Sequence, residues 1–259
     1  MRPVVIIVLG LVVGVGLLVW RLQPARHQSS QSPTTTSTNQ TTTQSSADPN
    51  EPPLLLKGIG VELGTYDSAT GLAGDFKFTK AKLQFDRIFM GYGFHIDTGN
   101  DNPAKDNPQP TFILPLGTKV RSLVDGVVKE IPTVWSGDFS VMVTDGVHEN
   151  WRYETEHVKN VAVSVGDHVT AGQVIAEVSD YDTGLPAGFG LVEIGILHGG
   201  QKPEHVCPFA YLDPSIKADV QAKLLQFYTD WETYKGDTAL YNESAESPIG
   251  CLTADPIEG

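Results

Sequence analysis

Apolar positions fall along this chain in three different patterns. Pro3 to Trp20, PVVIIVLGLVVGVGLLVW, is an unbroken apolar run of 18 residues. As a helix it is about 27 Å long, close to the roughly 30 Å of a bilayer core. Arg2 precedes it, Arg21 and Arg26 follow it, and Trp20 stands where an interfacial aromatic is expected. The pattern predicts a single transmembrane helix, an uncleaved signal anchor within residues 1–26. A cleaved signal peptide is the alternative, but the run exceeds a usual h-region and no small-x-small cleavage site follows. Residues 28–47, QSSQSPTTTSTNQTTTQSSA, have neither apolar periodicity nor charge. Such a segment cannot bury enough surface to offset its chain entropy, so residues 27–53 read as a disordered Ser/Thr/Gln-rich linker.

From Leu54 onward the apolar runs are short and punctuated by Gly, Asp and Asn. KVRSLVDGVVKEI (119–131) places two runs around Asp125-Gly126, a hairpin signal. DFSVMVTDGV (138–147) reads as a strand. NVAVSVGDHVTAGQVIAEV (160–178) alternates at Val161, Val163 and Val165, turns at Gly166-Asp167 and Ala171-Gly172, and resumes at Val174 and Ile175. GLVEIGIL (190–197) is a further strand, and Ile59–Leu63, Phe76–Phe78 and Leu83–Phe89 are weaker candidates. Turns about every ten residues predict a mainly β fold, an antiparallel sandwich or barrel-like core. One helix is expected: Asp213 caps it, Pro214 opens it, Gly236 ends it, and Ile216, Val220, Leu224, Phe227, Tyr228 and Trp231 form its apolar face.

Charge sharpens this division. The chain has 18 basic and 31 acidic residues, a net of −13. Residues 1–51 hold three of the former and two of the latter, so residues 52–259 carry 15 against 29, a net of −14. A domain this acidic excludes nucleic acid as a partner, since phosphates demand Lys/Arg patches, and it is repelled by anionic lipid headgroups. No glycine-rich phosphate loop or nucleophile elbow occurs. Asp97, Asn100, Asp101 and Asp106 are oxygen-rich, but their spacing is not that of an EF-hand loop.

Ordered motifs then suggest a family. FILPLGTKVRSLVDGVVKEI and EHVKNVAVSVGDHVTAGQVIAEV resemble two consecutive segments of the lysostaphin/LytM-type zinc metallopeptidases, with GFHID before the first and GLVEIGI after the second, where that family's metal motifs sit. The resemblance spans about residues 90–198 and implies an antiparallel β core with a duplicated hybrid motif. It also implies a substrate in the peptide part of bacterial cell walls. It divides the chain into a β extension at 54–89, a LytM-type β domain at 90–200, and a helix and tail at 201–259. The GDxVxxGQxI element is shared with biotinyl and lipoyl domains, yet SDYDTGLPAGFG after it has no Lys for a carrier attachment.

The family's zinc motifs, His-x-x-x-Asp and His-x-His, are degenerate here. Asp97 matches the ligand Asp, but Gly93 stands where the ligand His belongs, and the His-x-His pair falls at Gly190 and Val192. His157 matches the family's His after the central strand, which acts on the substrate oxyanion, and Glu193 falls within one position of the family's acid after the last motif. The expectation is a catalytically degenerate domain with no cofactor, binding envelope peptides or proteins through the former active-site groove. The competing expectation is an active zinc endopeptidase with a rearranged set: His95, Asp97 and Glu193 on the metal, and His157 in catalysis. Cys207 and Cys251 are the only cysteines. They read as a disulfide if the domain lies outside the cytoplasm, and as two buried thiols otherwise. Residues 3–20 would hold the folded part at a membrane, on its extracytoplasmic side.

Overall fold

The computed structural model describes residues 50–97, 99, 104–182 and 184–259. The expected membrane span at residues 3–20 and the tether up to residue 49 lie outside them. Among the described residues no helix is long and apolar enough to cross a membrane.

The extension begins with a three-stranded meander, β1 (Leu63–Asp67), β2 (Leu72–Gly74) and β3 (Phe76–Lys77). Gly74 permits its tight packing: φ is +66°, and an added Cβ would lie 2.8 Å from the Gly64 amide nitrogen and collide with the Glu62 carbonyl. Then follow β4 (Phe89–Met90), β5 (His95–Ile96), β6 (Lys105–Asp106), β7 (Thr111–Pro115), β8 (Lys119–Arg121) and β9 (Gly126–Glu130). The second half supplies β10 (Phe139–Thr144), β11 (Trp151–Lys159), β12 (His168–Val169), β13 (Val174–Val178), β14 (Phe189–His198) and β15 (Glu204–Val206). Helix α1 (Pro214–Lys235) and β16 (Ile257–Glu258) complete the chain.

Eleven strands make one antiparallel sheet along the path β12-β9-β10-β11-β14-β15-β16; β7 joins β14 to β4, and β13 joins β11 to β8. The expected mainly β fold with one helix is present. Cross-strand register divides the central strands into two faces, because opposed residues share a face and neighbours alternate. Tyr153 lies opposite Ile196, Thr155 opposite Ile194, and Val192 opposite Phe112. That face is the apolar core. Phe76 of the extension meets Phe112 at 5.9 Å and Phe227 of α1 at 4.6 Å, so extension and helix cover it together. The opposite face carries Glu154 against Gly195 and Glu156 against Glu193.

Helix α1 forms where the capping signals place it. Asp213 accepts a hydrogen bond from the Ser215 amide at 2.9 Å, Pro214 occupies the first turn, and Gly236 closes the end at φ +80°. Its buried side chains are Leu224, Phe227, Tyr228, Trp231 and Glu232.

Two sequence expectations are corrected. The runs around Asp125-Gly126 are not a hairpin: β8 pairs with β13, whereas β9 pairs with β10 and β12. Burial decides this. Leu123 and Val124 between the runs are fully covered, and Asp125 bonds outward to Lys57 and to the Ala171 amide at 2.6 and 2.8 Å. The connection therefore crosses between parts of the sheet rather than folding back. Val161, Val163 and Val165 lie outside any strand, and Val165 is exposed.

Cys207 and Cys251 form a disulfide with Cα atoms 6.0 Å apart and a sequence separation of 44. It fastens the tail beside the segment after β4. The Tyr92 amide donates to the Gly250 carbonyl and the Leu252 amide to the Tyr92 carbonyl, each at 2.9 Å.

Candidate functional site

The polar face of the sheet centres on His157. A bulge in β11 holds this residue at φ +58°, turning its ring toward the carboxylates of β11 and β14. The imidazole is only 3% exposed. Its Nδ1 lies 3.3 Å from both Asp138 oxygens and 3.3 Å from Ser136 Oγ, and the Ser136 hydroxyl donates to Asp138. Its Nε2 lies 4.0 Å from Glu156 Oε1 and 4.0 Å from Glu193 Oε2. Serine and carboxylate thus share one nitrogen, whereas a nucleophilic triad needs them on opposite nitrogens. The arrangement is a carboxylate-oriented imidazole facing an acidic floor.

Aromatic rings roof it. Tyr181, from the β13–β14 loop, stacks on the imidazole with centroids 3.9 Å apart and planes at 25°. Trp135, from the β9–β10 loop, stands edge-on to His157 at 6.1 Å and to Tyr181 at 5.6 Å, and is 84% exposed. An indole so placed is a ready contact surface for a ligand.

The floor is poor in counter-charge. Glu154 accepts hydrogen bonds from Gln109 Nε2 at 2.9 Å and from the Ser140 hydroxyl. Burial, with the Glu156 charge beside it, still pushes its carboxyl up to about 8. Glu193 accepts from Thr111 Oγ1 at 3.0 Å and is pushed up to about 7 by burial first and by Glu156 second. Its side chain is 21% exposed, so solvent relieves it more than Glu154, which is 3% exposed. Burial likewise raises the Tyr181 phenol well above its ordinary range, which keeps it neutral.

The structure brings together two of the sequence-predicted site residues, His157 and Glu193. His95 and Asp97 have other partners. His95 Nδ1 lies 2.9 Å from Asp106 on the exposed β5–β6 hairpin, and Asp97 accepts the Gly99 amide at 2.9 Å. Among the described residues no group of three or more His, Cys, Asp or Glu side chains is arranged to hold a metal ion. Where a ligand His would stand, Gly93 has φ +78°, and an added Cβ would lie 2.9 Å from Thr253 Cγ2 and 3.3 Å from the Thr253 nitrogen. The disulfide-fastened tail therefore fills that space. On β14, alternation puts Phe189 and Leu191, not Gly190 and Val192, on the face of Glu193. A Cβ on Gly190 would collide with the Ser179 carbonyl, and Val192 is sealed in the core. From Phe189 to Val192 the strand offers no nitrogen or oxygen side-chain ligand, and Glu193 is the first carboxylate on that face. Among the described residues, the side chains at these positions do not fit a zinc ion.

Asp138, Glu154, Glu156, Tyr181 and Trp135 were not singled out in sequence. The available signal was the alternation of WRYETEHVK (151–159), with Arg152, Glu154 and Glu156 on one face and Trp151, Tyr153 and Thr155 on the other.

An antiparallel sheet with an apolar face under a helix, and a polar face built around a carboxylate-oriented His, defines a peptidase-like β domain. Residues 111–195 match the model of Peptidase family M23, and this segment of the chain is an M23 peptidase-family domain. Among solved structures, a mutant catalytic domain of the prophage-encoded M23 protein EnpA from Enterococcus faecalis is 22% identical. That match covers 46% of this chain and 85% of that one, with a TM-score of 0.36. The catalytic domain of the antimicrobial peptidase lysostaphin from Staphylococcus simulans is 22% identical over 43% of this chain and 79% of its own, with a TM-score of 0.33. A putative glycyl-glycine endopeptidase from Ruminococcus gnavus is 22% identical over 35% and 38%, with a TM-score of 0.28. A search of the curated proteins finds no match to this chain.

Proposed function

We propose that this protein is a catalytically silent member of the M23 type that binds peptides of the bacterial cell envelope in the groove around His157. The observation that carries the reading is the state of the former metal positions. Gly93 is occupied by the tail, Phe189 and Leu191 face the groove, and His95 and Asp97 point to partners of their own. What persists is the oriented imidazole, His157 with Asp138, under Tyr181 and the exposed Trp135. Such a site presents donors, acceptors and an aromatic wall to a peptide without a metal to polarise its carbonyl. The disulfide supports an oxidising, extracytoplasmic compartment, and the apolar run at residues 3–20 supports tethering to a membrane.

The test uses the full chain in nonionic detergent with purified cell-wall sacculi. Binding is expected to survive EDTA, to fall at least tenfold in Trp135→Ala and His157→Ala, and to release no soluble peptide. Release of wall fragments that stops on chelation, with about one zinc per chain by metal analysis, would instead establish an active endopeptidase.

A further inference from the structure

Beside the groove lies a second cavity that the M23 segment alone does not make. It has a volume of about 490 Å³, within the range of small-ligand sites, and lies between Lys82, Leu83 and Gln84 of the extension and Asp182, Gly184 and Leu185 of the β13–β14 loop. That loop also carries Tyr181, so the cavity begins one residue from the ring stacked on His157.

The two walls bear opposite charges held apart. Lys82 and Asp182 both line the space, and among the described residues neither has an oppositely charged partner. Asp182 Oδ1 accepts the Gly184 amide at 2.8 Å, which fixes its carboxylate in place. Leu83 and Leu185 supply an apolar floor, and Gln84 an amide that can both donate and accept. A ligand matching this lining carries a carboxylate at one end, an ammonium at the other, and small apolar groups between.

The extension wall is built at some conformational cost. Phe85 and Asp86 both adopt left-handed backbone, at φ +55° and +50°, a region that disfavours residues with a Cβ. Surrounding contacts offset this. Phe85 packs edge-on against Phe94 at 5.2 Å, Trp231 Nε1 donates to the Asp86 carbonyl at 2.9 Å, and Lys235 pairs with the Asp86 carboxylate at 3.1 Å. Those contacts hold the segment after Gln84 rigid and present Lys82 to the opposite loop.

We infer that this cavity is a subsite for a short zwitterionic peptide end, with Lys82 receiving the free α-carboxylate and Asp182 the amino group. The inference deepens the peptide reading of the neighbouring groove and rests on it for the longer chain that would enter there. The probe is tri-alanine, titrated by calorimetry into the full chain in detergent and compared with its C-terminal amide and its N-acetyl form. The free tripeptide is expected to bind at least fivefold more tightly than either blocked form. Lys82→Ala should erase the preference for free acid over amide and keep the preference for free amine. Asp182→Asn should do the converse. Because Lys82 is exposed and Asp182→Asn keeps an oxygen for the Gly184 amide, near-UV circular dichroism of the variants should match the parent. Equal affinity for free and blocked peptides, or no binding of tri-alanine, overturns the proposal. His157→Ala separates the two readings: it should weaken sacculus binding and leave tri-alanine affinity within twofold.

Discussion

At the residue scale, Glu154 shows what the acidic floor does to the protein. It sits in a sheet interior beside Glu156 and near Glu193, and among the described residues no cation pairs with it. Its folded-state carboxyl value, about 8, lies above the ordinary 4.5, and that of Glu193, about 7, does so too. The native state therefore holds these protons more tightly than the unfolded chain. Their contribution to stability is full below about pH 4.5 and is lost as pH rises through 7 and 8. The melting temperature is expected to fall between pH 6 and pH 9, with a smaller fall in Glu154→Gln, measured by scanning calorimetry at constant salt. A parent and variant with parallel profiles would refute this. Gly93→Ala should cost roughly 1–3 kcal/mol in urea unfolding, because it adds a Cβ at positive φ against Thr253. His157 and Glu193 were legible because their neighbours match a known motif order. Glu154, Glu156 and Asp138 were not, since a charged residue in a short strand ordinarily reads as solvent-facing, and nothing local says that Gln109 and Ser140 will cover it.

At the element scale, local rules were sufficient for α1 and misleading for the Asp125-Gly126 turn. The helix carries its own boundaries in Asp213, Pro214 and Gly236. Asp213→Ala should cost about 1 kcal/mol, read from the urea midpoint. The Asp-Gly pair announces a reversal, yet the direction taken after it depends on β13 and β10, strands more than ten residues away that no local pattern names. The tail is a third case. It has one isolated bridge, Tyr92 to Cys251, and the short edge strand β16, and it is held besides by the Cys207–Cys251 bond and by the buried Tyr241, whose amide donates to Glu232 and whose hydroxyl donates to the Phe89 carbonyl. The chain-entropy view assigns a bridge over 44 residues about 4 kcal/mol. A Cys207→Ser/Cys251→Ser double variant should lose about that much by urea unfolding. It should also expose Tyr92 and the Gly93 turn to faster amide exchange than the floor of β11.

At the scale of the whole molecule, the mainly β class followed from the density of turns, but the sheet order did not. An eleven-stranded path requires β14 to pair with β11, β7 and β15 along different stretches of its length, and only long-range contacts specify that. The extension likewise read as a weak β preface, whereas it covers the apolar face together with α1 and forms one side of a cavity. One contact made by its first residues has a mechanical meaning. The Tyr153 hydroxyl of β11 accepts from the Leu54 amide at 2.6 Å and donates to the Leu54 carbonyl at 2.8 Å. Two residues on, Leu56 is pinned between Tyr211 and Asp213 by hydrogen bonds of 2.8 Å each. Glu51 also hydrogen-bonds Tyr211, so a pull that reaches Leu54 is shared between the central strand β11 and the segment leading into α1, ahead of the three-stranded meander. The strand so loaded is the one that carries His157.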